Sequence, residues 1–300
     1  MNYTFRQLQV FKAVANYKSF TKASEALHLT QPAISIQFKS FSEQFDFPLI
    51  EFHGRDLQVT EFGKKVLMEV NSIWDKIEAL SSINQSAYTD LNGTLRVASV
   101  STGKYIMPYV LTNFLSTHPG VNLSMDVTNK KHVVEALDEN LIDFALVSTL
   151  PDNFECAEEV LMDNELVLVG NAQKSQLITN ENLSEQKFLL RESGSATRQA
   201  MEQFLKRSKL KPTTKITLTS NEAVKQSVLA GLGISVMPII GIRSELERGR
   251  LSIIPHEKLP IKSSWRLIWK KDKSFSPVSK AFMDYIKAEK QNIIDTYFVD

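Results

Sequence analysis

Residues 191–200, RESGSATRQA, gather three hydroxyls, a glycine and two arginines directly after the apolar run Phe188-Leu189-Leu190. Apolar residues resume at helical spacing through Ala200, Met201, Phe204 and Leu205, so the stretch reads as strand, tight turn and helix, with Ser193 or Ser195 as N-cap. Free backbone N–H groups at a helix start attract anions, and hydroxyls and a guanidinium add donors. Taken alone, the same residues also serve as ordinary capping. Other turns share the make-up: VASVSTGKYIMP offers Ser99, Ser101 and Thr102, VSTLP offers Ser148 and Thr149, and TSNEAVKQ opens a helix at Ser220-Asn221. In α/β sheets ligands sit off the carboxyl ends of strands. The pattern predicts a cleft for a small anionic metabolite, with Ser101 and Thr102 facing Ser195, Thr197 and Arg198, and with Ser99, Ser148, Thr149, Ser193 and Asn221 as further donors.

These residue types argue against catalysis. They are hydroxyls and arginine with no nucleophile–base pair, and His118, His132 and His256 fall near loops or helix ends away from the turns. No His/Asp/Glu spacing resembles a metal site, so neither metal nor cofactor is expected. The single cysteine, Cys156, rules out an internal disulfide and reads as inert packing or a reactive thiol. A cytoplasmic enzyme or a solute-binding protein built on the same cleft is the competing reading. No stretch approaches the roughly 20 apolar residues of a membrane span, and the opening MNYTFRQLQVFKAV lacks a signal-peptide apolar block. The expectation is therefore a cytoplasmic protein with no membrane partner. A net charge of +1 announces no nucleic acid, so any such binding must come from a local surface.

The first sixty residues offer one. Thr4 and Gln7 form a capping-box pattern ahead of Leu8, Phe11, Val14 and Ala15; Ser19-Phe20-Thr21 opens a second, short helix; Gln31-Pro32 opens a third that runs to about Phe45. Two short helices joined by a tight turn suit a helix-turn-helix, although a three-helix packing module reads the same way. Small Ala33 and Ser35 would allow close approach to base edges, Gln31 and Gln37 could bond bases or phosphates, and Lys39 a phosphate. Residues 52–60 read as a two-stranded wing turning at Gly54, with Arg55 at its tip.

SFTKASEALHLTQPAISIQFKSFSEQF followed by GRDLQVTEFG resembles the winged helix-turn-helix of LysR-type transcriptional regulators, and the resemblance continues through almost the whole chain. Ser19-Phe20-Thr21, Ala23, Ala26-Leu27, Thr30-Gln31-Pro32-Ala33, Ser35, Gln37, Thr60-Glu61 and Gly63 sit at the family's spacing. The resemblance implies double-stranded promoter DNA as partner, with Gln31, Pro32, Ala33, Ser35, Gln37, Lys39 and Arg55 as its contacts. Two positions depart from the pattern. Ile36 replaces a frequent basic residue, and the arginine usual before the wing is replaced around Phe52. RESGSATR, SNEAVKQSVLAGLGISVMP and STGKYIMP are similar to the branch controlling carbon-fixation and sulfur-assimilation operons. That branch implies an effector among sugar phosphates, phosphorylated acids or sulfur oxyanions.

The elements that must position these residues follow from the remaining pattern. From Glu61 to about Tyr88 there is no proline, and Val66, Val70, Ile73, Ile77 and Leu80 recur at four, three, four, three with Leu67 and Trp74 alongside. This is a coiled-coil seam or a long helix packed on its own domain; the seam predicts a homodimer, and the family resemblance implies homotetramers built from it. After it, strands alternate with helices: 94–98, 121–127, 143–147, 166–169, 188–190, 215–219, 234–237 and 265–269 as strands, with 104–118 and 131–139 among the helices. The predicted class is α/β with an N-terminal all-α winged helix-turn-helix, a long linker helix and a two-lobed periplasmic-binding-protein-like effector domain. The expected boundaries are 1–60, 61–89 and 90–300, with lobe I at 90–163 and 266–300 and lobe II at 164–265.

Overall fold

The computed structural model describes residues 3–54, 56–83, 91–152 and 154–298, without the side chains of 75 and 78–83. Two compact units emerge: Met1–Thr89 with Glu139–Leu141 and Phe275–Pro277, and Asp90–Asp138 with Ile142–Ser274 and Val278–Asp300.

The first unit opens with α1 (Phe5–Tyr17), α2 (Phe20–Ala26) and α3 (Gln31–Ser42). Thr4 and Gln7 cap α1 reciprocally, Ser19 caps α2 and Thr30 caps α3. Left-handed backbone at Lys18 and His28 turns the chain between helices. Phe11, Phe38 and Phe41 meet at the centre, with ring centroids 6.2 and 5.3 Å from Phe11; burying each such side chain stabilises by roughly 1.5–3 kcal/mol. Strands β1 (Ile50–His53) and β2 (Asp56–Val59) pair antiparallel around Gly54, whose φ of +67° suits a residue without Cβ. Helix α4 (Glu61–Ile83) follows, as one long helix. Its apolar stripe divides. Leu67 and Val70 are buried in the three-helix core, Val70 at 2% exposure, and Trp74 lies under the Lys12 ammonium at 5.3 Å, while Ile73 is exposed. Part of the seam read from the sequence therefore serves its own unit. The Leu80 side chain lies outside the described residues.

The second unit contains β3 (Gly93–Val100), α5 (Met107–Thr117), β4 (Val121–Thr128), α6 (Lys130–Asp138), β5 (Phe144–Val147), β6 (Cys156–Asn171), β7 (Lys187–Arg191), α7 (Ala196–Arg207), β8 (Thr214–Leu218), α8 (Asn221–Leu229), β9 (Ser235–Pro238), α9 (Arg243–Glu247), β10 (Leu251–Ile253), β11 (Ile261–Lys270) and α10 (Pro277–Tyr297). β3 pairs in parallel with both β4 and β5. Long antiparallel β6 and β11 carry that sheet onward: β6 pairs with β11 along 156–166, then with β9 and β10 along 166–171. Of β6 only Leu166–Val169 carries a strand signal in the sequence, because the polar run Glu158-Glu159…Asp163-Asn164-Glu165 hides the period of a half-exposed strand. The expected lobe boundary at 163/164 falls inside this shared strand.

Along the last part of β6, alternate side chains enter different cores. Leu166 and Leu168 pack with Phe188, Leu190, Ile234 and Val236 beneath α7, while Val167 and Val169 pack with Leu189 and Met237 beneath α8. The two-residue period of a strand thus places α7 and α8 on opposite faces of the lobe II sheet. Both helices start where the parallel strands β7 and β8 end.

Candidate functional site

On α3 of the first unit, Ile34, Phe38 and Phe41 are buried, and the opposite face carries the exposed Gln31, Pro32, Ile36 and Lys39. Ala33, Ser35 and Gln37 lie at its flanks, half-buried. Gln31 Nε2 donates to Ser35 Oγ at 3.1 Å, and Lys39 stands 3.8 Å from Glu43. The sequence-nominated residues of this helix therefore share a solvent-facing surface, with Ile36, 65% exposed, among them. Arg55 lies outside the described residues. Phe52 is exposed on β1, opposite Leu57.

In the second unit, three strand-end turns converge. Ser101 follows β3, Arg191 ends β7 and Asn221 begins α8. Ser101 Oγ accepts from Arg191 Nη1 at 3.0 Å and from Asn221 Nδ2 at 2.8 Å, tying lobe I to lobe II. Arg191 is 3% exposed, and its Nε and Nη2 each donate to the Glu192 carboxylate at 2.7 Å, a bidentate pair that neutralises a buried guanidinium. Its carbonyl accepts from Arg198 Nη1 at 3.0 Å, while Arg198 Nε donates to Glu202 at 2.8 Å. Gly194, at φ +86°, completes the turn, and its carbonyl accepts from the Lys131 N–H at 3.3 Å. Ser195 is the N-cap of α7, but its side chain makes no capping bond. Ser220, by contrast, accepts from Ala223 N at 3.0 Å and caps α8.

The other nominated hydroxyls differ in exposure. Thr102 and Ser148 are buried, Thr197 is half-buried, and Ser193 and Thr149 are exposed. Ser99 is fully buried and donates to the Val100 carbonyl at 3.0 Å. It lies beneath Gly103, where a Cβ would stand 1.9 Å from its Oγ. The expected facing of Ser101 against Ser195, Thr197 and Arg198 takes another form here, since the bonds across the lobes run from Ser101 to Arg191 and Asn221.

Two cations escaped the sequence reading. Arg191 belongs to the singled-out decapeptide, yet as the last strand residue it carried no turn signal. Lys130 starts α6, and its ammonium donates to the Leu150 carbonyl at 2.9 Å; burial pushes its pKa down from the ordinary lysine value. A second contact joins the lobes beside Gly241, where a Cβ would meet the Tyr105 ring at 2.9 Å. Burial raises the Tyr105 pKa, first among its causes, with nearby Lys225 acting against the rise. Lys225 reaches Glu222 at 3.2 Å and Glu245 at 3.3 Å. For Lys225 burial works against the charge, but the Glu222 hydrogen bond, Tyr105 and Glu245 outweigh it and hold the pKa above the ordinary value.

No group of His, Cys, Asp and Glu suited to a metal occurs among the described residues, and none of their helices is long and apolar enough to cross a membrane. Residues 5–64 match the model of the bacterial regulatory helix-turn-helix protein, lysR family, and residues 89–291 match the LysR substrate binding domain. The chain is 36% identical over 293 residues to a RuBisCO operon transcriptional regulator of Allochromatium vinosum, covering 96% of this chain and 97% of that one. It is 34% identical over 296 residues to the HTH-type transcriptional activator CmpR of Synechocystis sp., covering 97% of each. Among solved structures it is similar to the regulatory domain of CcmR from Synechocystis PCC6803 in complex with 2-PG, with a TM-score of 0.62 at 31% identity over 67% of this chain and 99% of that one.

Proposed function

The chain belongs to the LysR family of bacterial regulatory helix-turn-helix proteins, and we propose on that premise that it reads promoter DNA with α3 and adjusts that reading to a small anion held between the lobes of its second unit. It acts as a transcriptional regulator and not as an enzyme. The observation that carries the effector reading is the meeting of Ser101, Arg191 and Asn221 at the carboxyl ends of strands from both lobes, the place where α/β sheets bind ligands. Buried Thr102, next in the chain to Ser101, and the uncapped start of α7, which follows Arg191, supply further donors. The solved relative in complex with 2-PG supports an anion of the phosphorylated class, and the two regulators cited support a target among carbon-fixation operons. Such work on DNA supports a cytoplasmic location, and the partly exposed stripe of α4 suits pairing with a second copy, which sets two α3 helices on two half-sites.

An effector shifts this system only through its different affinity for two lobe arrangements. Two measurements test the reading. In a gel shift with carbon-fixation promoter DNA, Lys39→Ala weakens binding of every sequence alike and lowers the salt slope by about 1, as loss of one phosphate contact requires. Thermal melting with a panel of phosphates, sulfur oxyanions and phosphorylated acids gives stabilisation of about 2.7 kcal/mol for an anion at a hundred times its dissociation constant. Unchanged anion affinity in both Thr102→Ala and Arg198→Ala would move the site elsewhere.

A further inference from the structure

Helix α3 carries one large apolar side chain that faces solvent, and it stands in the middle of the surface read as the DNA contact. Ile36 is 65% exposed, whereas Ile34, Phe38 and Phe41 of the same helix are buried. Two residues on from Ile34, it lies about 200° round the helix, almost opposite that buried row. Pro32 is exposed one turn before it and Lys39 one turn after, so Ile36 forms the crest of the exposed face. Single exposed apolar residues are ordinary on protein surfaces, and Phe5, Phe47 and Phe52 of this unit are exposed as well. None of those three lies on α3, so only Ile36 brings an apolar group to the reading face.

A recognition helix in the major groove sets its outward face against base edges. Lys39 is the one cation of α3, and Gln31 and Ser35 are bonded to each other at 3.1 Å. The Ile36 side chain can form no hydrogen bond. Pressed on a phosphate, it would strip the phosphate of water and return nothing. The apolar group that the major groove offers is the C5 methyl of thymine. A β-branched residue in a helix holds one strongly preferred χ1 rotamer, so Ile36 loses little freedom on docking.

We propose that Ile36 determines specificity by packing its side chain on a thymine methyl group at one position of the half-site. The proposal rests on the reading of α3 as the DNA-contacting helix. It assigns a base preference to a side chain that has no donor or acceptor, and so makes shape and methyl burial part of the operator code.

Selection of duplexes from a random pool by the full-length chain supplies the site. Fluorescence anisotropy then compares that duplex with copies in which single thymines are replaced by deoxyuridine, a change that removes the methyl group and nothing else. One thymine per half-site is expected to lose about fourfold in affinity as uracil, the factor that burial of one methyl group is worth. With cytosine at that position binding weakens, and 5-methylcytosine recovers about fourfold over cytosine. In Ile36→Ala the ratio between thymine and uracil duplexes falls to about 1.5 or less, whereas a general fold defect weakens both alike and leaves the ratio intact. Lys39→Ala also leaves the ratio intact, since a phosphate contact carries no base information. A selected site in which every thymine tolerates uracil, or a ratio unchanged in Ile36→Ala, overturns the methyl contact and leaves α3 standing as the reading helix. A pool from which no sequence is enriched overturns the DNA reading of α3 and this proposal with it.

Discussion

In the N-terminal unit the candidate contact residues that the structure describes lie on one helix, between Gln31 and Lys39, and a single buried row, Ile34, Phe38 and Phe41, aims them at solvent. In the C-terminal unit the junction draws Ser101, Arg191 and Asn221 from turns 90 and 120 residues apart, and its charged member is buried. A surface made by one helix needs only that helix and the core beneath it. A junction made by three turns needs both lobes in place, so it can report on their arrangement. The contrast suits a protein that reads a rigid duplex with one end and a small diffusing ligand with the other.

Five changes break or sharpen this contrast. The largest effect belongs to Arg191→Leu, which removes the three side-chain hydrogen bonds of a buried guanidinium, two to Glu192 and one to Ser101; at about 1.5–3 kcal/mol for each bond to a charged group the loss is about 5 kcal/mol. Calorimetry should show the C-terminal transition falling while the N-terminal one stays, and an unmoved C-terminal transition would deny the junction its role in joining the lobes. Phe41→Ala is the counterpart in the other unit. Loss of a buried phenyl group costs about 3–5 kcal/mol, so DNA binding is lost at temperatures where effector binding, followed by titration, is still intact.

Helix caps come next. Thr30→Ala and Ser220→Ala each cost about 1 kcal/mol, but they should separate by function, the first weakening DNA in a gel shift and the second weakening the anion by displacing Asn221. A Ser220→Ala variant with full anion affinity would detach α8 from the site. The smallest effect is the pH response of the Lys225 cluster. A pKa held above the ordinary 10.5 means that the ion pairs with Glu222 and Glu245 contribute fully below that value and are lost as pH rises through the raised one. Glu222, lowered from 4.5 chiefly by its bond from Gln226, contributes above 4.5 and loses that contribution as pH falls through its lowered value. Melting followed against pH should therefore show an alkaline decline that is reduced in Lys225→Met.

The two regions also differ in how far they can be read without a structure. The helix-turn-helix is local: capping pairs three residues apart, Pro32 in the first turn and apolar positions at helical spacing all lie within a window that the chain displays directly. The stripe on α4 was equally visible, yet spacing alone does not tell a partner's core from the chain's own, and Leu67 and Val70 went to the latter. In the second unit the hydroxyl-rich turns stood out because strand ends and helix starts have recognisable residues. Arg191 did not, since a charged residue closing a strand has the same signature whether it is solvated or buried. The first part of β6 was missed because alternating burial in a polar run is a weak signal until β11 lies beside it.

The sequence by itself thus determined the elements, the DNA-reading module and the anion-friendly character of four turns, because capping, periodicity and turn chemistry act over a few residues. Tertiary structure alone decided which turns meet. Ser101, Arg191 and Asn221 come within hydrogen-bonding distance only when both lobes are folded, since they lie 90 and 120 residues apart in the chain. Hydrogen-bond saturation and desolvation depend on neighbours in space, and those neighbours are set by the packing of two lobes through which β6 runs.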